Sequence, residues 1–324
     1  MMILPTLRQL QYLVAVVDLR HFGQAAQRCF VTQSTLSAGI QDLEHILGAA
    51  LIERTKRKVL PTPLGRDIAA QAKDVLNRAE SLVDAAKGDT LPLSGRFRLG
   101  VIPTIGPFVL PWVLPELRHA YPDLRLYLRE EQTARLLENL QSGDLDAALL
   151  ALPYELGGME SVVLAEDPFW VACPKDHSLV RSVGKGAAID AGAILVDDLL
   201  LLEDGHCLRD HALSACHLED AKKRPEAFQA TSLLTLVQMV ANGLGVTFLP
   251  EIALNSEIVR TADIVVRPLG GTSAPRYLGL VWRRSSRHKK EMNLLADFLR
   301  RALADFNAKY PAGDLPSKKS ERRS

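Results

Sequence analysis

Two cysteines nine residues apart carry the most distinctive chemistry in the sequence. They lie in the segment Leu201–Cys216, where Gly205 and His206 directly precede Cys207. Gly205 is expected to end an apolar strand, so that a helix begins near Cys207. A thiol at a helix N-terminus faces the positive end of the helix macrodipole, and a protonated imidazole beside it adds to the effect. The sequence therefore predicts a thiol that favours the thiolate form at position 207.

The spacing of Cys207 and Cys216 restricts how they pair. Nine residues along a continuous helix correspond to about 13 Å and to the opposite face, whereas a disulfide needs Cα atoms within about 7 Å. The two thiols therefore join only if the helix between them unwinds. Cys216 shares its face with the apolar Leu208, Ala212 and Leu213, and Cys207 shares its face with Asp210, His211 and Ser214. The two faces therefore predict that the Cys207 thiol is accessible and activated and that the Cys216 thiol is buried and unreactive.

The composition is that of an ordinary soluble protein. The chain has 324 residues, of which 47% are hydrophobic and 24% are charged, enough for two or three units with full cores. No apolar run approaches the roughly 18 residues of a membrane span, and no signal peptide opens the sequence. We therefore expect a cytoplasmic protein without membrane contact, whose cysteines stay reduced unless their chemistry is used.

The net charge of +1 hides a strong asymmetry along the chain. Residues 1–66 contain eight Lys and Arg against four acids, and residues 307–324 contain five against two, so the remainder is acidic. A basic N-terminal segment followed by an acidic remainder favours nucleic-acid binding by the N-terminal segment. The basic tail 307–324, with its Pro, Gly and Ser residues, is predicted to be disordered.

The first 50 residues predict three helices, the third of which has an unusual outer face. Thr6 and Gln9 fit a capping box, a short helix covers about 23–30, and Thr32 caps a third helix that ends at Gly48. The inner stripe of the third helix is Leu36, Ile40, Leu43 and Leu47. Its outer face is small or amide-bearing rather than charged: Gln33, Ser34, Thr35, Ser37, Ala38 and Gln41. Such groups read base edges and phosphates in a major groove.

A basic hairpin follows the third helix. Residues 51–62 form two short strand-like runs around a tip with four bases, Arg54, Lys56, Arg57 and Lys58. Helix, face and hairpin together predict a winged helix-turn-helix domain over residues 1–62, with Arg54, Lys56 and Arg57 near phosphate. The alternative is an ordinary solvated hairpin.

A long helix is predicted next. Thr62 and Pro63 fit a cap and a first helical residue, and the helix continues to about residue 87 with an apolar stripe of Leu64, Ile68, Ala72, Val75, Ala79, Leu82 and Val83. Such a stripe must be covered, and a second copy of the same helix is the simplest partner. Residues 63–94 are therefore expected to be a dimerising linker helix with a hinge at 88–95.

The remainder alternates short apolar runs with helices, which predicts an α/β domain with a parallel sheet over residues 95–306. Strands are expected at Phe97–Ile102, Leu124–Glu130, Ala147–Ala151, Phe169–Cys173, Ala193–Leu202, Val246–Leu249 and Tyr277–Trp282, and helices at about 107–120, 133–142, 208–217, 231–242 and 288–306. Ligand sites in such sheets form where strands end and helices begin. Thr104 and Thr133 occupy such positions, although either is equally explained as a helix N-cap.

The N-terminal motifs resemble the LysR-type transcriptional regulators. The resemblance lies in Phe22-Gly-Gln-Ala-Ala, Val31-Thr-Gln-Ser-Thr-Leu-Ser37, Leu51-Ile-Glu-Arg-Thr55 and Leu60-Pro-Thr-Pro-Leu-Gly65, and it extends over nearly the whole chain. Ser34 departs from it, since the family often has proline there. The resemblance implies a two-subdomain α/β regulatory domain similar to periplasmic binding proteins, no enzymatic activity and no cofactor.

The second half resembles the OxyR group of hydrogen-peroxide sensors within that family. The matching segments are Gly100–Pro107, Glu131-Gln-Thr133, Leu202-Glu-Asp-Gly-His-Cys-Leu-Arg-Asp210 and Ala230-Thr-Ser232. This implies that peroxide oxidises Cys207 to a sulfenic acid and that Cys216 resolves it as a disulfide. The resemblance also implies that the intervening segment then refolds and that a homotetramer changes how it binds the promoters of antioxidant genes. RNA polymerase and a thiol reductant system are the implied partners. Thr104, Thr133, His206, Asp210 and Arg276 match positions around the peroxide pocket.

Other functions remain open from the residues themselves. His206, Cys207, His211, Cys216 and His217 are potential metal ligands, but a compact site needs ligands two to four residues apart or on one helical face. A regulator that binds a small metabolite, with structural cysteines only, is the second alternative. A stand-alone peroxidase fits less well, because the chain carries a DNA-binding domain. Cys29 and Cys173 are interpreted as small core residues.

Overall fold

The computed structural model describes residues 4–54, 59–86, 92–182, 184, 186–215, 229–271, 276–286 and 288–311. The chain divides into two compact units, the first formed by Met1–Leu91 with Glu138–Leu145 and the second by Pro92–Leu137 with Asp146–Ser324. Among the described residues, no helix is long and apolar enough to cross a membrane.

The first unit begins with three helices and a short hairpin, followed by a long helix. The elements are α1 (Leu7–Leu19), α2 (Phe22–Arg28), α3 (Gln33–Leu47), β1 (Ile52–Arg54), β2 (Val59–Pro61) and α4 (Pro63–Ala86). The predicted helix signals are confirmed: Thr6 and Gln9 form a capping box, the Thr32 side chain accepts the N–H of Thr35, and Gly48 ends α3 in the left-handed conformation. Each of these groups satisfies a backbone donor or acceptor that a helix end leaves unpaired.

The core of the first unit lies between α1, α3 and the start of α4. Leu13, Leu36, Ile40 and Leu43 are fully buried in it. Helix α4 adds Ala69 and Ala72 to this core, with Ile68 and Leu76 packed against it. Further along α4, Val75, Leu82 and Val83 are exposed. The predicted stripe is therefore only partly covered: Ile68 and Ala72 lie at the helical core, whereas Leu64 at its start is exposed like the residues further along.

The second unit contains a five-stranded sheet in the order β4-β3-β5-β13-β6. Its strands are β3 (Gly95–Val101), β4 (Leu124–Glu130), β5 (Ala147–Leu152), β6 (Glu160–Asp167) and β13 (Arg276–Trp282). Strand β3 is parallel to β4 and β5, whereas β13 is antiparallel to β5 and β6. Helices α5 (Gly106–Ala120), α6 (Thr133–Gln141) and α11 (Lys289–Lys309) follow strands of this sheet in the chain.

A four-stranded sheet in the order β11-β7-β12-β8 forms the second layer of strands. It consists of β7 (Phe169–Pro174), β8 (Ile189–Asp190), β11 (Thr247–Pro250) and β12 (Ile264–Gly270), and a separate parallel pair joins β9 (Leu201–Leu202) and β10 (Gln229–Ala230). The helices here are α7 (Ser178–Ser182), α8 (Cys207–Ala215), α9 (Leu233–Ala241) and α10 (Glu257–Thr261).

Two sequence predictions about this unit are wrong. Both larger sheets are mixed rather than parallel, because β13 returns antiparallel between β5 and β6, and β7 pairs antiparallel with β11 and β12. The predicted strand Ala193–Leu202 is also absent: two 3₁₀ turns, Ala191–Ala193 and Val196–Asp198, precede the short β9. The first turn is held by the Asp190 side chain, which accepts the N–H of Gly192 at 2.7 Å, a local bond that competes with strand formation.

Candidate functional site

Gly205 lies where the start of α8 meets the start of α6. Gly205 has φ +93°, and a Cβ added to it would lie 2.5 Å from Oε1 of Gln132. The left-handed backbone favours glycine here, whereas the flexible end of the Gln132 side chain could move away from a Cβ. The result is that Cys207, two residues later, and Thr133, the first residue of α6, belong to the same corner of the second unit.

Cys207 is the first residue of α8, as the sequence predicts, but the predicted exposure of its thiol is wrong. Its residue surface is only 5% exposed, and its neighbours His206, Leu208 and Arg209 are buried with it. Part of the cover is the turn after β5, since the carbonyl of Pro153 accepts a hydrogen bond from α8. The adjacent Tyr154 is close enough to Cys207 for the thiolate charge to help raise the pKa of its phenol, after the larger effect of burial.

Arg276 joins β13 to the segment after β3. Its guanidinium is fully buried and pairs with the equally buried Asp167, at 2.7 Å between Nε and Oδ2. The same guanidinium donates to the hydroxyl of Thr104 at 3.4 Å and to its carbonyl at 3.2 Å. Thr104 is not a helix cap, because the N-cap of α5 is Ile105. The arrangement fixes Thr104 through a charge that burial makes strong.

Thr133 has a hydroxyl without a partner. The residue is 1% exposed, and within the described part of the chain its Oγ1 is buried and makes no hydrogen bond. A buried hydroxyl in that state costs about 1–3 kcal/mol relative to a paired one. The alternative explanation of Thr133 as a helix cap therefore fails, and its hydroxyl is free to bind a small polar molecule.

His206 and Asp210 differ in their surroundings. His206 is buried, with Nε2 3.8 Å from Oε1 of Glu203; burial lowers the pKa of His206, and Glu203 opposes that effect. Asp210 is exposed, but its charge also raises the pKa of Tyr154. Of the residues predicted for the site, the structure buries Thr104, Thr133, His206, Cys207 and Arg276 and leaves Asp210 at the surface.

Cys216 and His217 lie outside the described residues, so the pairing of Cys207 with Cys216 stays a prediction. In the described ranges, no three His, Cys, Asp or Glu side chains are grouped so that they could hold a metal ion. The remaining cysteines fit their interpretation as core residues: Cys173 is fully buried in β7, and Cys29 is partly buried against the core of the first unit.

Three features of the site are absent from the sequence predictions. Asp167, the buried partner of Arg276, ends a strand that the sequence pattern does not reveal. Pro153 and Tyr154 form the turn after β5 that lies against Cys207. His211 appears among the predictions as a neighbour of Cys207 on the helix face and as a potential metal ligand, without a role in the site. A signal was available for His211 alone, since it lies one helical turn beyond Cys207.

The outer face of α3 forms a second candidate site, in the first unit. Gln33, Ser34, Thr35 and Gln41 are exposed and Ser37 is partly exposed, on the side opposite to the buried Leu36, Ile40 and Leu43. The Thr32 hydroxyl lies 2.9 Å from that of Ser34 and 2.8 Å from that of Thr35. These contacts order the first turn of α3, where a reading helix presents its side chains.

The hairpin after α3 is anchored by Glu44, whose Oε1 accepts the N–H groups of Leu51 and Ile52 at 2.8 and 3.0 Å. Arg54 is the last residue of β1. Lys56 and Arg57, which the sequence predicts at the tip, lie outside the described residues.

Comparison with known proteins identifies the class to which these two sites belong. Residues 7–66 match the family "Bacterial regulatory helix-turn-helix protein, lysR family", and residues 92–304 match "LysR substrate binding domain". The chain belongs to the LysR family of transcriptional regulators, which are not enzymes, and its helix-turn-helix binds DNA.

Relatives at about 40% identity include OxyR activators. The chain is 40% identical to the HTH-type transcriptional regulator EstR of Acinetobacter baylyi, over 94% of this chain and 99% of EstR. It is 41% identical to the DNA-binding transcriptional dual regulator OxyR of Escherichia coli K12, over 91% of this chain and 94% of that protein.

Solved OxyR structures share the fold. A full-length cysteine-to-aspartate variant from Pseudomonas aeruginosa matches with a TM-score of 0.73 at 36% identity, covering 91% of this chain and 94% of that chain. A hydrogen-peroxide-bound cysteine-to-serine mutant of Corynebacterium glutamicum OxyR matches with a TM-score of 0.63 at 36% identity, covering 97% and 96%. This chain is therefore an OxyR-like LysR regulator.

Proposed function

We propose that this regulator senses hydrogen peroxide through Cys207. The observation that carries the proposal is the buried thiol at the first residue of α8, in the same corner as the unpaired hydroxyl of Thr133. A small, polar oxidant fits a site that offers an unsatisfied hydroxyl and little access from solvent. The likeness to a peroxide-bound OxyR structure supports the same substrate.

The proposed chemistry is an attack by the Cys207 thiolate on one oxygen of the peroxide. A sulfur–oxygen bond forms, the O–O bond breaks, and the second oxygen leaves with the bonding pair and takes up a proton to become water. Thr104 and Thr133 position the peroxide, and a hydroxyl–water relay delivers the proton. Arg276 holds Thr104, while His206 and Asp210 flank the thiol in sequence. Cys207 is consumed once per event, so the reaction is sensing rather than turnover.

The proposed signal is the refolding of the segment between Cys207 and Cys216. Helix α8 continues through Ala215, so a disulfide with Cys216 requires the helix to come apart. The refolded segment alters a homotetramer, in which α4 of the linker, residues 63–94, pairs with its copy. The exposed Leu82 and Val83 of α4 are available for that contact. A thiol reductant system restores the reduced state in the cytoplasm.

The proposed output is altered binding to the promoters of antioxidant genes and contact with RNA polymerase. In the domain of residues 1–62, base edges and nearby phosphates of the DNA are contacted by the outer face of α3, namely Gln33, Ser34, Thr35, Ser37 and Gln41. The DNA backbone beside the wing is contacted by Arg54, Lys56 and Arg57. Residues 95–306 form the sensing domain, and residues 307–324 are a basic tail.

The test compares promoter binding and transcription by reduced and peroxide-treated protein, for the unaltered chain and for Cys207→Ser. A peroxide-dependent change in the unaltered chain that is lost in Cys207→Ser is expected. An equal response in both proteins contradicts the proposal. The match of residues 92–304 to a family described as a substrate binding domain favours a metabolite-responsive regulator as the second candidate. A response of Cys207→Ser to a small organic effector, with none to peroxide in either protein, would support it.

The DNA contacts are tested by two substitutions. Gln33→Ala should change which sequences are bound, because an amide reads base edges, whereas Lys56→Ala should weaken all sites and lower the salt dependence by about one counterion. Equal effects of both substitutions on every sequence would contradict the assignment of α3 as the reading helix.

A further inference from the structure

His211 projects from α8 on the same side as Cys207, because residues four apart are neighbours on a helix surface. Its Nε2 lies 2.7 Å from the carbonyl oxygen of Pro153. A carbonyl accepts hydrogen bonds and does not donate them, so Nε2 carries the proton. Nδ1 of the neutral ring is then an acceptor with a free lone pair.

That lone pair is buried and unused. Nδ1 of His211 is among the buried side-chain atoms of the described residues that make no hydrogen bond. The same is true of Thr133 Oγ1, which lies in the second unit as well. A molecule that both donates and accepts hydrogen bonds, such as a peroxide, could satisfy both the unpaired acceptor and the unpaired hydroxyl.

Burial is the main reason that the ring of His211 stays neutral. Burial lowers the pKa of His211; the hydrogen bond to Pro153 opposes this effect, the Arg276 cation of β13 adds to it, and Asp210 of α8 opposes it. Cys207 lies one turn back on the same helix, and Tyr154 follows Pro153 in the covering turn. At neutral pH the imidazole is therefore uncharged, and Nδ1 is available as an acceptor.

We propose that His211 is a positioning residue of the peroxide site, whose Nδ1 accepts a hydrogen bond from an O–H group of the peroxide and aligns the O–O bond with the Cys207 sulfur. The inference rests on the proposed function. In the reaction, the sulfur loses two electrons, the O–O bond is reduced, and the leaving oxygen becomes water; His211 begins and ends the step uncharged.

The alignment depends on pH in a direction that separates it from a structural role. Below the pKa of His211, which lies under 6.5, Nδ1 carries a proton and no longer accepts. The oxidation rate therefore falls as the pH drops through that value. His211→Gln retains an acceptor oxygen at every pH, so its oxidation rate should not show this fall. Titration of His206 and of the other groups that both proteins share affects the two rates alike, so the ratio of the rates isolates His211.

The experiment measures the second-order rate constant for Cys207 sulfenate formation in the full chain, by rapid quenching with a sulfenate-trapping reagent and mass spectrometry between pH 5 and 8. At pH 7.5 His211→Leu should be about tenfold slower, the loss of about one hydrogen bond, and His211→Gln should stay within about twofold. The ratio of unaltered to His211→Gln rates should fall as the pH decreases. His119→Leu, which removes an exposed histidine of α5, is the matched control and should not change the rate.

Two results overturn the inference: a folded His211→Leu as fast as the unaltered chain, or parallel pH profiles for the unaltered chain and His211→Gln. Both leave the proposed function in place, because Cys207 is still oxidised. If the unaltered chain forms no sulfenate at Cys207, the proposed function fails and the role of His211 falls with it. Circular dichroism and the urea midpoint of each variant establish that it folds.

Discussion

Cys173 and Cys207 are both buried, yet the structure surrounds them with different groups. Cys173 lies in β7, between β11 and β12, and burial raises its pKa to about 11 against a smaller opposing effect of Arg267. Cys207 begins a helix in a corner that also holds His206, whose pKa burial lowers. Because the reactivity of a thiol depends on the polar groups and helix ends near it as well as on its burial, we expect Cys207 to react with peroxide and Cys173 not to.

The largest expected difference is in oxidation by peroxide. In a Cys216→Ser variant, which has no resolving thiol, Cys207 should form a trappable sulfenate within seconds, while Cys173 should not react. A thiol with a pKa of about 11 is roughly one part in ten thousand thiolate at pH 7, and only the thiolate attacks. Site-resolved mass spectrometry after peroxide measures both. Similar labelling of Cys173 and Cys207 would contradict the expected difference in reactivity between the two thiols.

Next in size is the effect of the buried ion pair on which Thr104 depends. Arg276→Met leaves Asp167 buried without its partner and should destabilise the chain by about 3–5 kcal/mol. Arg300→Met, which breaks an exposed pair with Asp297, is the control and should cost less than about 1 kcal/mol. Urea unfolding measures both. A loss below about 1 kcal/mol for Arg276→Met would mean that the pair does not hold the Cys207 corner together.

A smaller effect concerns the Cys173 thiol and alkaline pH. Its pKa is raised from 9.0 to about 11 in the folded chain. The folded chain therefore holds the proton of Cys173 more tightly than the unfolded chain does. The resulting contribution to the free energy of unfolding is fully present below pH 9 and is lost as the pH rises from 9 towards 11. The free energy of unfolding should decrease by about 2 kcal/mol over that range.

Cys173→Ala should remove that part of the pH dependence, when urea midpoints at pH 8, 9, 10 and 10.5 are compared with those of the unaltered chain. An identical alkaline loss in both proteins would assign it to other groups.

The smallest stability effect is expected at Thr133, where function and stability should separate. Thr133→Val replaces an unpaired buried hydroxyl with a methyl group and should stabilise the chain by about 1 kcal/mol or leave it unchanged. The same substitution should slow Cys207 oxidation about tenfold, because the peroxide loses a partner. Loss of stability on Thr133→Val would show that the hydroxyl is paired, and an unchanged oxidation rate would remove Thr133 from the site.

The elements with local signals were predictable from the sequence. Helices α1, α3 and α4 begin where Thr6, Thr32 and Thr62 predict, because a cap and the following apolar stripe lie within a few residues of each other. The motif around Cys207 and the resemblance to LysR regulators predicted the family, which the comparisons confirm. The roles of individual site residues remain predictions.

What the sequence did not predict depends on contacts distant along the chain. The antiparallel return of β13 and the pairing of Asp167 with Arg276 join segments more than 100 residues apart, and no local pattern encodes them. The exposure of Cys207 was predicted wrongly for the same reason: helical faces distinguish its polar neighbours, but the cover comes from the turn at Pro153 and Tyr154.

Disulfide mapping by mass spectrometry, after one equivalent of hydrogen peroxide per chain, tests the proposed thiol switch most directly. We expect a single Cys207–Cys216 disulfide, with Cys29 and Cys173 recovered as free thiols, and none of this linkage in Cys207→Ser. Recovery of Cys207 and Cys216 as free thiols, or oxidation distributed equally over Cys173 and Cys207, would contradict it.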